Sequence, residues 1–359
     1  MHGFKEKYLK EGSEPYFIAE IGINHNGSMD MAKRMIDASK NAGADAVKFQ
    51  KRDIGLLVLP GVTIPTPTGY LSKDENDIPS EKAKAFGTWT YPDARLELTD
   101  DQFLELWEYC RSKGIDFIVS PWETASVDFL KDNGAKVIKL ASIDTTNYQF
   151  CEYIASKGIP TIISTGMTGY SELQVTWDIF AKAGCPMMFL HCTSAYPSPI
   201  EDKHLSCIPV LQSMFGHDVG FSGHGTTVVG TLGAVALGAR VVEKHVSLNR
   251  KMRGPDHAAS LEFDELQELI SLSRDMVKAM GHSRKRFLPS EKVLHGVLSK
   301  RIVTKVAVGA GDQITPEMIF TSVTKESGGL LPDRFYEIVG MTTGLDLPVH
   351  HVLELSDFE

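Results

Sequence analysis

The sequence predicts an α/β protein: a (β/α)₈ TIM barrel followed by a small β-rich module. Three observations predict it. Eight short apolar strand candidates alternate with amphipathic helical patterns over roughly 260 residues. Several helices run into a glycine just before the next strand, as in Ala42-Gly43-Ala44 and Lys113-Gly114, where a left-handed C-cap suits the turn. Five strands end in polar or charged residues, as barrel strands do when their C-terminal ends converge on one site. A doubly wound open sheet is the alternative, and no GxGxxG follows the first strand to support it.

The strand candidates are 17–23, 44–50, 115–120, 136–141, 160–164, 187–191, 217–222 and 239–245. Helical patterns run from Met29 to Ala42 after the candidate cap Ser28, and from Thr99-Asp100-Asp101 to Lys113. Others run from Ser126 to Asn133, Tyr148 to Lys157, Ser171 to Ala183 and Thr226 to Gly238. The last, Glu262 to Met280, is closed by Gly281. Residues 52–98 form a long connection rich in Pro, Thr and Lys, which is read as a lid or docking arm. The domains are then 1–283 for the barrel, 284–297 for a linker containing Pro289, and 298–359 for the module. In the module, Lys300 to Val308 alternates like a strand, Gly309-Ala310-Gly311 turns, and Thr315 to Ile319 opens a short helix. About 60 residues is marginal for stability alone, so the module is expected to dock on the barrel or on another subunit.

Composition narrows the function. The net charge of −9 argues against a nucleic-acid partner but leaves room for a small phosphorylated substrate held by local lysines. No apolar run approaches the ~18 residues of a membrane span. The first residues are charged and lack a signal-peptide core. Five cysteines, odd in number and without a CxxC, are read as reduced thiols in a cytoplasmic protein. Cys192 among them is read as a packed thiol near a strand end.

The polar strand ends carry the chemistry. A charge inside an apolar strand is costly without a partner or a role. Lys48 and Lys139, on the second and fourth strands, suit a doubly charged phosphate, and Ser120, Ser142, Ser164 and Ser222 stand at strand ends where hydroxyls complete its shell. A single serine there is more often a cap. His224 and His245 end neighbouring strands and suit a labile divalent ion, Mn²⁺ or Mg²⁺, with other ligands from substrate or water. Glu20, inside the first strand, is a candidate general base or hydroxyl ligand. Asp144, Tyr196 and Asp256 fall in strand-to-helix loops, where substrate-positioning groups belong.

Long motifs in register sharpen this. Ile18-Ala19-Glu20-Ile21-Gly22-Ile23-Asn24-His25-Asn26-Gly27, Lys48-Phe49-Gln50, Ser164-Thr165-Gly166-Met167, His191-Cys192-Thr193-Ser194-Ala195-Tyr196-Pro197, Gly220-Phe221-Ser222-Gly223-His224, Glu243-Lys244-His245 and Gly254-Pro255-Asp256-His257 resemble the sialic acid synthase family. The tail from about 298 resembles that family's antifreeze-like (SAF) module. The resemblance implies condensation of phosphoenolpyruvate with N-acetylmannosamine or a related N-acyl hexosamine. The products are a nine-carbon 2-keto sugar acid and phosphate, released by C–O cleavage. The 6-phosphate of that sugar, giving a 9-phosphate product, and a 6-deoxy diacetamido sugar of the legionaminic or pseudaminic type are the alternatives. A non-catalytic protein binding through its antifreeze-like module is a remote one.

By the same resemblance, Lys48, Lys139, Ser120, Ser142, Ser164 and Ser222 surround phosphoenolpyruvate. His224 and His245 hold a metal, Mn²⁺ preferred over Mg²⁺. Gln50, Glu20, Asp144, Ser194, Tyr196 and Asp256 line the metal and sugar region, with Glu20, Lys48, Lys139 and Asp144 the catalytic set. The resemblance also implies a domain-swapped homodimer whose module covers the partner's barrel. Two departures stand out. Asp144 replaces the Glu of many bacterial members, as in the animal enzyme. Val323-Thr324-Lys325-Glu326-Ser327-Gly328 replaces a Lys-Arg-Pro-Gly stretch whose Arg reaches the partner's sugar site, which leaves Lys325 as the candidate for that place.

Overall fold

The computed structural model describes residues 14–57, 59, 96–252, 254–281, 283–325 and 328–359. The chain divides into two compact units, Met1–Gly281 and His282–Glu359. In the first, eight strands close a barrel in sequence order: β1 (Tyr16–Gly22), β2 (Ala46–Lys51), β3 (Asp116–Pro121), β4 (Ile138–Leu140), β5 (Thr161–Ser164), β6 (Met187–Cys192), β7 (Gly220–Gly223) and β8 (Val241–His245). Every neighbouring pair is parallel, and β8 closes on β1 with Glu20 opposite His245.

Helices α1 (Met29–Asn41), α2 (Asp100–Lys113), α3 (Thr124–Asp132), α4 (Tyr148–Ser156), α5 (Tyr170–Ala183), α6 (Cys207–Phe215), α7 (Val229–Ala236) and α8 (Phe263–Met280) follow the strands. Sequence signals set their ends. Ser28 accepts a hydrogen bond from the Met31 N–H, and Thr99 and Gln102 cap each other across the first turn of α2. Gly114 closes α2 at φ 64°.

Strand periodicity places the site. Successive side chains of a strand point to opposite faces. Phe17, Ala19 and Ile21 of β1 therefore join the main core against the helices, while Ile18 points into the barrel. Ile18, Ala46, Ile118, Val137, Ile162, Met188, Leu190 and Val241 pack together inside it. Two residues further along, on the same face, stand Glu20, Lys48, Ser120, Lys139, Ser164, Cys192 and Glu243. The interior is thus apolar below and polar above.

Some expectations need correction. β4 is three residues long, and β7 begins at Gly220 rather than 217. Helix α6 has no counterpart in the sequence reading: Pro209, third in the helix, disguises a segment whose Ile208, Leu211 and Phe215 are buried at helical spacing. Residues Lys292–Leu298 form a further helix, α9, inside the stretch read as a linker. Of the long connection 52–98, most lies outside the described residues; at its ends, Arg52 pairs with Glu97.

The second unit has its own core of Ile302, Val308, Ile314, Ile319, Leu330, Ile338, Leu347 and Leu353. Strands β9 (Arg301–Thr304) and β10 (Ile319–Ser322) pair antiparallel, and isolated bridges such as Val308 with Leu347 complete its β structure.

Candidate active site

The polar ring builds from β1 and β2. Glu20, 1% exposed, faces Lys48, 4% exposed, with 2.9 Å between Oε2 and Nζ. Gln50 donates to the other Glu20 oxygen at 3.0 Å, and Lys48 donates to Ser120 Oγ at 3.0 Å. A bulge in β1 between Glu20 and Gly22 sets this aim. Gly22 has φ 56°, and a Cβ there would stand 3.1 Å from Glu20 Oε1. On the other side of β1, Glu243 of β8 accepts from Ser222 Oγ at 3.0 Å and lies 3.9 Å from Lys48. Burial works against its charge, but Lys139, Lys48 and the two histidines hold it down to about 2.

The two lysines differ in company. Burial opposes the charge on Lys48, and the Glu20 and Glu243 carboxylates outweigh it, so its pKa is raised. Lys139 is as deeply buried, yet donates only to Ser164 Oγ at 2.6 Å and Leu140 O at 3.0 Å. No carboxylate forms an ion pair with it among the described residues, and burial lowers its pKa. A buried ammonium with neutral partners is a site for an incoming anion.

Beyond the lysines, Ser142 Oγ accepts from the Gly166 N–H at 3.1 Å and reaches Cys192 Sγ at 3.6 Å. Cys192 is buried as expected, but in the wall of the site, 3.9 Å from both Ser194 Oγ and His224 Nδ1. Burial raises its pKa, and His224, Ser142 and Lys139 bring it down to about 7. Tyr196 stacks on His224 at 4.0 Å, with its hydroxyl 2.9 Å from Nε2. His224 Nδ1 lies 2.9 Å from the Thr193 carbonyl, which assigns the proton to Nδ1 and the lone pair to Nε2.

His245 lies 5.4 Å from His224 between ring centres. Its imidazole makes no hydrogen bond among the described residues; Nδ1 is fully buried, 3.9 Å from Asp256 Oδ2. Burial lowers its pKa to about 4, so the imidazole is neutral with a lone pair to give. Three carboxylates, Glu20, Glu243 and Asp256, face two ammonium groups, and an arriving phosphate would make the balance more negative. Orphaned imidazole nitrogen and excess anionic charge both fit a divalent cation. Among the described residues no group of three or more His, Cys, Asp or Glu side chains forms a complete metal cage. A cation on the two histidines would therefore take its remaining ligands from substrate or water.

The structure thus brings together Glu20, Lys48, Gln50, Ser120, Lys139, Ser142, Ser164, Ser194, Tyr196, Ser222, His224, His245 and Asp256. Asp144 stands beside Ser142, but its carboxylate accepts only from Asn147, at 3.1 Å, among the described residues, and burial raises its pKa. Lys325 belongs to the second unit, where it is exposed. Sequence reasoning gave Glu243 no role, although its step of two from Val241 was the available signal. Lys244 points the other way and donates to the Gly225 carbonyl at 2.5 Å. A cavity of about 640 Å³ at the opposite face, lined by Tyr16, Trp107 and Val137, touches none of these groups.

The NeuB family model matches residues 35–285. The chain is 36% identical to the N-acetylneuraminate-9-phosphate synthase of Mus musculus, over 92% of this chain and 89% of that protein. It is 32% identical to the N,N'-diacetyllegionaminic acid synthase of Campylobacter jejuni, over 90% and 94% respectively. Among solved structures it resembles the N-acetylneuraminic acid synthetase of Leptospira borgpetersenii in complex with citrate. That match has a TM-score of 0.65 at 30% identity and covers 79% of this chain and 90% of the other.

Proposed function

The chain belongs to the NeuB family, and from that premise we propose that it condenses phosphoenolpyruvate with an N-acyl hexosamine. N-acetylmannosamine is the sugar we favour; its 6-phosphate and a 6-deoxy diacetamido sugar are the other members of the class. The observation that carries the reading is Lys139, a buried ammonium with neutral partners only, set in a ring that also holds Lys48 and the strand-end serines.

In this reading Lys48 and Lys139 bind the phosphate, with Ser120, Ser142, Ser164 and Ser222 completing the shell around phosphoenolpyruvate. His224 and His245 would hold a divalent metal, Mn²⁺ before Mg²⁺, which supplies Lewis-acid polarisation of the sugar aldehyde. The C3 carbon of phosphoenolpyruvate attacks the aldehyde carbon, leaving positive charge at C2. Glu20 and Glu243 stabilise that charge from the adjacent strands. Water adds at C2, and the C2–O bond to phosphate breaks. Gln50 fixes Glu20 by its 3.0 Å bond. Tyr196 and Asp256 border the histidines and orient the sugar hydroxyls, with Asp144 and Ser194 beyond them.

The second unit is read as an antifreeze-like module that completes the partner's site in a domain-swapped dimer, with Lys325 the candidate reaching residue. Exposed apolar side chains on α9, Val293, Leu294, Val297 and Leu298, support burial against another chain. Five free cysteines suit a reducing cytoplasm.

The test is phosphate release from phosphoenolpyruvate with Mn²⁺ and each of the three sugars. Release with at least one sugar, matched by a keto sugar acid product, is expected; none with any of them overturns the reading. Activity is also expected to vanish on chelation with EDTA and return with Mn²⁺. Full activity with metal content near zero would remove the histidines from that role.

A further inference from the structure

His224 is gripped through its backbone as well as its ring. Its carbonyl accepts two hydrogen bonds from Ser198, one from the N–H at 2.9 Å and one from Oγ at 2.7 Å. The hydroxyl proton of Ser198 is therefore committed to that carbonyl, and the hydroxyl oxygen is left to accept. Lys203 Nζ donates to it at 2.7 Å. A continuous chain of donors thus runs from Lys203 through Ser198 to His224.

One loop holds both ring and backbone. Residues 193–203 follow β6 and supply Thr193, whose carbonyl lies 2.9 Å from His224 Nδ1, and Tyr196, which stacks on the ring. Two contacts tie the far end of this loop back to its start. The Lys203 carbonyl lies 2.7 Å from His191 Nε2, and Thr193 Oγ1 donates to the Asp202 carbonyl at 2.8 Å. The backbone of Lys203 is therefore fixed, and its ammonium reaches Ser198 from a set place.

A buried lysine is a costly brace. Lys203 is 6% exposed, and no carboxylate pairs with it among the described residues. The fold makes room for it. A Cβ at Gly230, in the first turn of α7, would stand 2.5 Å from Lys203 Cδ and 2.9 Å from Cε, so glycine there leaves a slot for the lysine stem. The charge has a use at the far end of the chain. A cationic donor on a hydroxyl strengthens that hydroxyl's own donation to the next acceptor. Ser198 is thereby tightened on the His224 carbonyl, which keeps the imidazole in one orientation, with Nδ1 to Thr193 and Nε2 to the site.

Resting on the metal role proposed above for His224, we propose that Lys203 is a positioning residue of the metal centre and acts through Ser198. Groups that orient a metal ligand in this way are worth about 10–100-fold in metal affinity.

The experiment measures the dissociation constant for Mn²⁺ from the electron paramagnetic resonance of the free ion, in full-length protein without substrates. The proteins are the wild type, Lys203→Met, Ser198→Ala, the double variant and Gly230→Ala. Lys203→Met and Ser198→Ala are each expected to weaken Mn²⁺ binding about tenfold. The KM for phosphoenolpyruvate is expected to stay within twofold, because Lys48 and Lys139 are untouched. The double variant is expected to bind within twofold of Ser198→Ala, since residues acting in one chain do not add. Gly230→Ala keeps both polar groups but displaces the lysine stem, and at least threefold weaker binding is expected. Mn²⁺ affinity within twofold of wild type in folded Lys203→Met overturns the assignment, and so do effects that add in the double variant. If Lys203→Met does not fold, Gly230→Ala decides by the same limit. A wild type that binds no Mn²⁺ instead overturns the metal role of His224, so the two failures are told apart.

Discussion

Lys48 and Lys139 lie equally deep in the barrel, and their different partners give unequal expectations for stability. Lys48 sits 2.9 Å from Glu20 and 3.9 Å from Glu243. Removing it strands buried carboxylates, a loss of about 3–5 kcal/mol when a buried pair is broken. Lys139 has no ion pair within reach among the described residues, so replacing it removes a desolvated charge, but it also removes the leading attraction that keeps Glu243 ionised. We expect Lys48→Met, which breaks a direct ion pair, to lower the denaturation midpoint more than Lys139→Met does. Both are expected to raise the KM for phosphoenolpyruvate far more than that for the sugar, since truncating a buried charged partner costs about 2–5 kcal/mol. Calorimetry and two-substrate kinetics on both variants check this; an effect confined to the sugar would reassign the lysines. Histidines give a second expectation. His25 and His257 are buried, and desolvation lowers both to about 4. The unfolded chain takes up protons below about 6.5 where the folded chain does not. Their stabilising effect is therefore full above pH 6.5 and fades as pH falls toward 4. At pH 5 the loss is on the order of 2 kcal/mol per histidine. Denaturant melts at pH 7 and 5 measure it, and His25→Gln should shrink the difference.

At the scale of elements, β1 shows what one bulge does. Its strand face would carry Glu20 inward in any case, but the bulge and Gly22 let Gln50 and Lys48 close on both carboxylate oxygens. Gly22→Ala must place a Cβ at φ 56°, costing about 1–2 kcal/mol, and within 3.1 Å of Glu20 Oε1. We expect kcat to fall at least tenfold with the KM for phosphoenolpyruvate little changed, because Glu20 shifts while Lys139 does not. Unchanged kcat would detach Glu20 from the chemistry. The same period of two explains what the sequence made legible. Every barrel strand could be seen, and the inward polar ends followed from alternation alone. Glu243 escaped because its strand reads as a charged tripeptide rather than as a step from Val241. Helix α6 escaped because its only local signal is apolar spacing across Pro209. The link between Cys192 and His224 joins β6 to β7 and has no expression in local pattern. Contacts of this kind depend on barrel closure, which no local window contains.

At the scale of the whole molecule, the first unit carries the complete ring and its own core, and the second has a separate core of eight buried residues. Within the second unit, α9 presents Val293, Leu294, Val297 and Leu298 at 56–77% exposure, a row of apolar side chains of the kind that marks a contact surface. On the proposed reading the ring binds its anion without a residue from the second unit, since Lys139 and Lys48 both belong to the first. A chain ending at Gly281 should therefore fold and bind phosphoenolpyruvate yet lose most sugar turnover. Full-length Lys139→Met should also be inactive, because its phosphate site is broken while its second unit is intact. Mixed under conditions that let subunits exchange, the two inactive proteins should regain activity. The hybrid would join the intact barrel of the short chain to the second unit of the other, and one working site per hybrid follows. Leu294→Glu in the full-length partner should abolish the rescue by charging the apolar row. Full activity of the short chain alone would deny the second unit any catalytic part. Rescue that survives Leu294→Glu would place the subunit contact elsewhere than α9. An active enzyme that sediments only as a monomer would end the exchange model, whatever the second unit does.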